Sequence, residues 1–444
     1  MAAKAGGDGM KQGTGHRAAV DRLAWVRGLP FYYGWVIVFL GAFSMFATTP
    51  GQSDSFSLFM DSFIADFGWS RTSVSSLYSG ATLLSGFAMF FVGRMVDRLG
   101  AKAVAIAAGV TLGLACVLLS LSISPFMLFS GFFLARLSGK GALDLSASTL
   151  APQWFIRRRA LAIMLVGLGG ALGGALFPLL NSWLIATYGW RASYRFLAGG
   201  LGLLYLPIVW VFLINRPEDA GLRPDRAPAP TGAVIPLGAI DEPTFRQSEA
   251  IRTSAFWILT YVVFQSSLVG TGVVLHFVSI LGTHGYSMSF AAIVMGIKPL
   301  VALSSTILAG LFLDRVRKHH WVLGAACVLQ VVSFVTLAFL QNEAMAYLHG
   351  VVGGVASGLL VISYRVLKPN LFGRRYLGGI LGVTAAFNVI GSAIGPVLFG
   401  VAYDRLHGYR EIILLMSVLP LLGAILSFLI RTPSQPKPSE TRSS

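Results

Sequence analysis

The chain has 444 residues, 55% of them hydrophobic and only 12% charged, with a formal net charge of +16. A soluble domain of this composition would carry more apolar surface than one core can cover, so an ordinary water-soluble fold is excluded and the bilayer is the implied solvent. Two lone cysteines, Cys116 and Cys327, exclude a disulfide framework, and the positive charge is dispersed over many loops, which excludes nucleic acid as a partner.

Residues 1–32 carry Lys4, Lys11, Arg17, Arg22 and Arg27 without an apolar run or a small-residue cleavage site, so a cytoplasmic tail is expected here and not a cleaved signal peptide. A helix crossing the hydrocarbon core needs about 20 mostly apolar residues. Residues 33–214 supply six such stretches, near 34–63, 73–92, 102–122, 125–151, 160–185 and 194–214. Residues 215–254 then form a polar segment rich in Pro, Gly and charge, expected to be a cytoplasmic linker. Within it, Asp241 to Phe256 interleaves Phe245, Ala250, Ile251 and Phe256 with Arg246, Glu249 and Arg252; it reads either as an amphipathic stretch on the inner membrane surface or as a solvated tether. Six further apolar stretches occupy 255–430, near 255–280, 289–313, 319–340, 344–367, 377–403 and 411–430, before a short tail at 431–444. Period-2 alternation is absent, which argues against a β-barrel.

Placing the N-terminus inside puts Arg94, Arg98, Lys102, Arg157, Arg158, Arg159, Arg315, Arg317, Lys318, Arg374 and Arg375 in inner loops, whereas the outer loops hold few cations. That is the positive-inside bias, and it leaves both termini cytoplasmic. The halves also repeat. Gly93-Arg-Met-Val-Asp97-Arg98 after the second span and Gly310-Leu-Phe-Leu-Asp314-Arg315 after the eighth match at an offset of 217 residues, and Arg158-Arg159 corresponds to Arg374-Arg375. An all-α membrane protein of twelve transmembrane helices in two parallel six-helix halves follows.

The run from Gly93 through Arg98 to Gly100 and Lys102, with its degenerate copy at Gly310 to Lys318, resembles the loop signature of the major facilitator superfamily. Tyr33-Gly34-Trp35, Phe67-Gly-Trp-Ser-Arg71, Asn215 to Asp225 and Gly395-Pro396 resemble its monocarboxylate and oxalate/formate branch, especially the bacterial members. The resemblance implies a secondary transporter in a bacterial inner membrane, working as a monomer on a small organic anion with protons or a counter-substrate as its coupling partner. It also implies that Gly93, Asp97, Arg98, Gly310, Asp314 and Arg315, with Arg159 and Arg375 beside them, brace the halves when the inner side is closed.

Ionisable side chains within spans are costly and mark a pathway. Arg136, Lys140 and Asp144 stand at i, i+4 and i+8 in the fourth span, a stripe expected to face a central cavity. Arg136, Lys140 and Lys298 with the amide of Asn388 are the candidate substrate-binding residues; Asp54, Asp144 and His276 are the candidates for carrying protons, with Asp54 and Lys298 expected to face each other from opposite halves. The expected cavity holds one more cation than anion, which favours a carboxylate. The sequence departs from the branch at Asp54, where a Lys is common, and at Thr306, where an Arg is common, so neither lactate nor oxalate transfers simply. No metal cluster, nucleophile–base pair or nucleotide loop is visible, and neither an enzyme nor a cofactor is expected. Two other functions fit the same architecture: proton-driven efflux of drugs or hydrophobic metabolites, and a membrane receptor or assembly protein that does not transport.

Overall fold

A backbone surrounded by lipid must satisfy its own hydrogen bonds, and a helix does so within one segment. The computed structural model describes residues 24–69, 71–226, 243–316, 318–406 and 408–433, and every regular element among them is helical. In the first half these are α1 (Gly34–Ala47), α2 (Ser53–Phe67), α3 (Arg71–Leu99), α4 (Ala101–Ser120), α5 (Pro125–Ala135), α6 (Asp144–Trp154), α7 (Arg159–Gly200) and α8 (Leu206–Phe212). The second half comprises α9 (Ser254–Gly282), α10 (Met288–Phe312), α11 (His319–Ala338), α12 (Glu343–Phe372), α13 (Leu377–Leu406) and α14 (Arg410–Phe428).

Among the described residues, eleven segments are long and apolar enough to cross a membrane. The twelfth crossing is the run through α5 and α6, joined by π-helical residues Arg136–Leu143; it is less apolar because it carries Arg136, Lys140 and Asp144. One detail differs from the sequence reading. The first crossing is not one rod: a 3-10 turn at Thr49–Gly51, containing Pro50, separates α1 from α2. Within α7 the fifth and sixth crossings are two helices that meet at Gly189, whose φ of 79° breaks the helix in a conformation that side chains with a Cβ rarely tolerate.

Packing is that of a membrane protein. Phe39, Phe87, Phe91, Leu203, Trp210 and Leu300 lie exposed on the outer faces, whereas Trp154, Tyr33 and Tyr194 are fully buried between helices. Lipid gives no hydrophobic drive for helix pairing, so close backbone approach takes over that role. At Gly169 of α7 an added Cβ would overlap the backbone carbonyl of Ala42 in α1.

The polar linker is docked at both ends. After α8, the Asp225 carboxylate accepts from the backbone N–H groups of Ile156 (2.8 Å) and Arg157 (2.7 Å), and the Tyr32 hydroxyl donates to the carbonyls of Trp154 (2.8 Å) and Arg223 (3.1 Å). Burial pushes the Tyr32 hydroxyl above its usual range, so it remains a donor. Further on, only Gln247–Ala250 is helical; Phe245, Ala250 and Phe256 are buried against the second half, and the Phe245 N–H donates to the Phe372 carbonyl at 3.1 Å. The described part of this stretch, from residue 243, matches neither the membrane-surface nor the solvated-tether reading: Phe245, Ala250 and Phe256 anchor the chain against the second half, where they lose more water than at an interface, while Ile251 stays exposed.

Candidate functional site

Between the halves lies a cleft of about 600 Å³, counting the space open to solvent. α6 and the π-helical turn before it contribute Lys140, Asp144 and Ser148; α12 contributes Tyr364, Arg365 and Lys368; α13 contributes Thr384 and Asn388. The Lys140 ammonium stands 3.3 Å from one Asp144 oxygen, and the Arg365 guanidinium 3.8 Å from the other. One carboxylate of the first half therefore sits between a cation of its own helix run and a cation of the opposite half. Ser148 donates to the same carboxylate at 3.5 Å. Leu145, Val263, Leu381 and Ala385 supply apolar walls. A pocket of this kind suits a small molecule with a charged end and an apolar body.

Arg136 is not among the described residues that line this cleft. It is 7% exposed, donates to the Gly51 carbonyl at 3.0 Å and lies over the Tyr78 ring at 5.5 Å, so it holds the bend of the first crossing. The expected stripe assumed an unbroken α-helix; the wider turn between Arg136 and Leu143 changes the angular step and separates Arg136 from Lys140 and Asp144. Lys298 lines a second cavity inside the second half, with Phe277, Val294, Met295, Pro299 and His349. Its expected partner cannot be paired with it, because the Asp54 side chain lies outside the described residues, as does that of Asp314. His276 is enclosed by the second half: Nε2 faces the Pro396 carbonyl at 3.1 Å, Nδ1 the Tyr409 hydroxyl at 3.2 Å. Asn388 does line the cleft.

The end of the cleft nearest Asp97 and Arg374 is shut by contacts between halves. The Asp97 carboxylate accepts from the N–H groups of Gly378 (2.7 Å) and Gly379 (2.6 Å), which open α13. Unpaired N–H groups and the helix dipole make that end favourable for a carboxylate. Gly93 permits the approach, since a Cβ there would stand 2.6 Å from the Gly378 carbonyl. Gly310 plays the same part on α10, where a Cβ would stand 2.5 Å from the Met164 side chain of α7. Arg159 is 3% exposed and reaches Asn370 of α12 at 2.7 Å while holding the Phe155 carbonyl at 3.0 Å. Arg98, Arg315 and Arg375 are exposed, and Arg375 lies over the Tyr376 ring at 5.5 Å. The neighbouring Arg374 makes the cross-half contacts instead: it donates to the Gln153 carbonyl at 2.7 Å, receives the Gln153 amide on its own carbonyl at 2.5 Å, and pairs with Glu218 of the linker.

Three residues of this arrangement carry no expectation from the sequence. Glu218 lay in the segment read as a linker, within the Asn215–Asp225 run, where it was given no role of its own. Gln153 lay at the end of a span, with nothing to mark its partner. Lys368 fell one residue beyond the span expected to end at 367, whereas α12 runs to Phe372 and buries it. The signal that could have found it is the i, i+3 pair of cations Arg365 and Lys368 in an otherwise apolar helix.

The sequence profile of the Major Facilitator Superfamily matches residues 34–347 and 299–444. The chain belongs to that superfamily. It is a multi-pass membrane transporter and not an enzyme. Among curated relatives of the superfamily, the chain is 21% identical over 409 residues to the aspyridones efflux protein apdF of Emericella nidulans, covering 89% of this chain and 77% of that protein. It is 31% identical to mouse monocarboxylate transporter 14 over a shorter stretch of 174 residues, covering 38% of this chain and 33% of that one. Among solved structures of superfamily proteins, the human organic anion transporter MFSD10 superposes with a TM-score of 0.64 at 15% identity, covering 90% of this chain and 100% of that chain. That superposition confirms the twelve-helix fold.

Proposed function

We propose that this transporter moves a small organic anion with a carboxylate as its charged group, by alternating access, with proton coupling or by exchange. The observation that carries the reading is Asp144 held between Lys140 and Arg365 at the seam of the halves, which leaves one positive charge for a substrate. A substrate carboxylate that competes with Asp144 for Arg365 loosens a contact between the halves at the moment of binding, and a protonated Asp144 yields both cations. Substrate and proton then act on one pair, which is what coupling requires. The partial similarity to a monocarboxylate transporter and the fold shared with an organic anion transporter support the same substrate class. Gly93, Asp97, Gly310 and Arg159, together with Arg374, act as the cytoplasmic gate. The site of action is a bacterial inner membrane with both termini inside, and the working unit is one chain.

A second reading, efflux of a hydrophobic metabolite, draws support from the similarity to the aspyridones efflux protein and from the apolar walls of the Lys298 cavity. Uptake of labelled carboxylates into proteoliposomes, with and without a pH gradient of either sign, tests the choice. Carboxylate accumulation driven by the gradient supports the first reading; transport of uncharged apolar compounds alone supports the second.

A further inference from the structure

We propose that Lys368, one turn from Arg365, is a second cation that holds the charged group of the substrate when the cytoplasmic side is shut, and that it loses this hold when that side opens. The inference rests on the organic-anion reading above. Lys368 is 1% exposed and lines the cleft. Among the described residues no carboxylate pairs with it; its ammonium lies 5.1 Å over the ring of Tyr364. Lys140 and Arg365, by contrast, already share Asp144. A buried ammonium with only an aromatic face for company is costly to keep charged, and an arriving anion offsets that cost more than it would for a cation already paired.

Position adds the second part of the argument. Lys368 stands one turn beyond Arg365 toward the end of α12, in the part of the cleft that also contains Pro152 and Leu377, next to the seam closed by Gln153 with Arg374 and by Asp97 with Gly378. Attraction between an ammonium and a carboxylate is many times stronger in a dry site than in water. While the seam is shut, Lys368 is dry and holds the anion; when the seam parts, Lys368 is the first cleft cation to meet cytoplasmic water, and the anion is released. The charged group of the ligand therefore points to the cytoplasmic end, its apolar body lying against Leu145, Val263, Leu381 and Ala385. One negative charge on an apolar or weakly polar body is the class of ligand that fits.

The test uses purified full-length protein and thermal shift with acetate, lactate, succinate and benzoate, each beside its neutral amide. At least one carboxylate is expected to stabilise the wild type while its amide does not. Lys368→Gln is expected to weaken apparent affinity for that carboxylate by about tenfold or more, the loss of a charge-assisted contact, and Lys368→Arg to retain most of it. Lys368→Met, which fills similar volume without charge, replaces the Gln variant if the latter does not fold. The wild-type response is repeated with Asp97→Asn, which opens the cytoplasmic seam and is expected to lower affinity only when Lys368 is present. Unchanged affinity in the uncharged Lys368 variant overturns the inference while leaving the anion reading intact. No response of the wild type to any of these carboxylates overturns the anion reading and this inference with it.

Discussion

Asp97 of the first half and Gly378 of the second are joined by a 2.7 Å hydrogen bond from the first turn of α13 to the carboxylate at the end of α3. A bond to an ionised acceptor contributes about 1.5–3 kcal/mol. Asp97→Asn keeps one carbonyl acceptor and loses the charge, so the closed seam is expected to weaken by about 1–2 kcal/mol, a five- to thirtyfold shift toward the state open to the cytoplasm. Uptake by reconstituted protein is expected to lose rate more than apparent affinity measured in the absence of turnover. Equal loss of both counts against a gating role.

Gly93 and Gly310 occupy matching places in the two halves but face different neighbours. A Cβ at Gly93 would stand 2.6 Å from the Gly378 carbonyl of α13, and one at Gly310 would stand 2.5 Å from the Met164 Cβ, which is fixed to the α7 backbone, so neither clash is relieved without shifting a helix. Gly93→Ala and Gly310→Ala are therefore each expected to abolish most transport. Initial uptake rates at matched reconstitution measure both, and near-wild-type uptake by either variant would show that backbone proximity is not what limits closure.

Glu218 and Arg374 form a part-buried ion pair between linker and second half, and Arg374 also bonds the Gln153 carbonyl. Removing one partner of such a pair leaves the other charge poorly compensated. Glu218→Gln is expected to increase labelling of cytoplasmic-side cysteines placed in the seam, and exchanging the two residues, Glu218→Arg with Arg374→Glu, to restore part of the wild-type protection. Absence of any rescue would mean that the linker docks for reasons other than this pair.

Arg136 and His276 serve as contrasts. Arg136 braces the bend of the first crossing from within the first half, and its Nε is buried without a partner among the described residues. Arg136→Ala is expected to lower thermal stability by about 2–4 kcal/mol, leaving substrate affinity of the folded fraction near wild type. His276→Asn is expected to leave ligand affinity of the folded fraction near wild type, since its ring is held between Pro396 and Tyr409. Loss of affinity in folded protein would place His276 on the substrate pathway.

The fold was legible in the sequence because bilayer thickness imposes one length on every crossing, and the 217-residue offset of Gly93-Asp97-Arg98 and Gly310-Asp314-Arg315 divided the crossings into halves. Even the least apolar crossing was found, since its charges are few and regularly spaced. Its π-helical turn was not, because no single residue type demands one; the placement of Arg136 failed with it. The cleft was half legible: Lys140, Asp144 and Asn388 were named from their depth in apolar runs, but Lys368 was hidden by a span end set one residue short. The pairing of Glu218 with Arg374 joins residues 156 positions apart, and only the folded chain brings them together.

The central claim is that the cleft between the halves is a substrate site reached from each side in turn. Ser148 lines that cleft, and the native Cys116 and Cys327 are buried, so a single reporter can be introduced as Ser148→Cys. Labelling with a membrane-impermeant thiol reagent, applied from either side of oriented vesicles, is expected to succeed from both sides and to be slowed by a transported carboxylate. Labelling from one side only, unaffected by any carboxylate, would contradict the account.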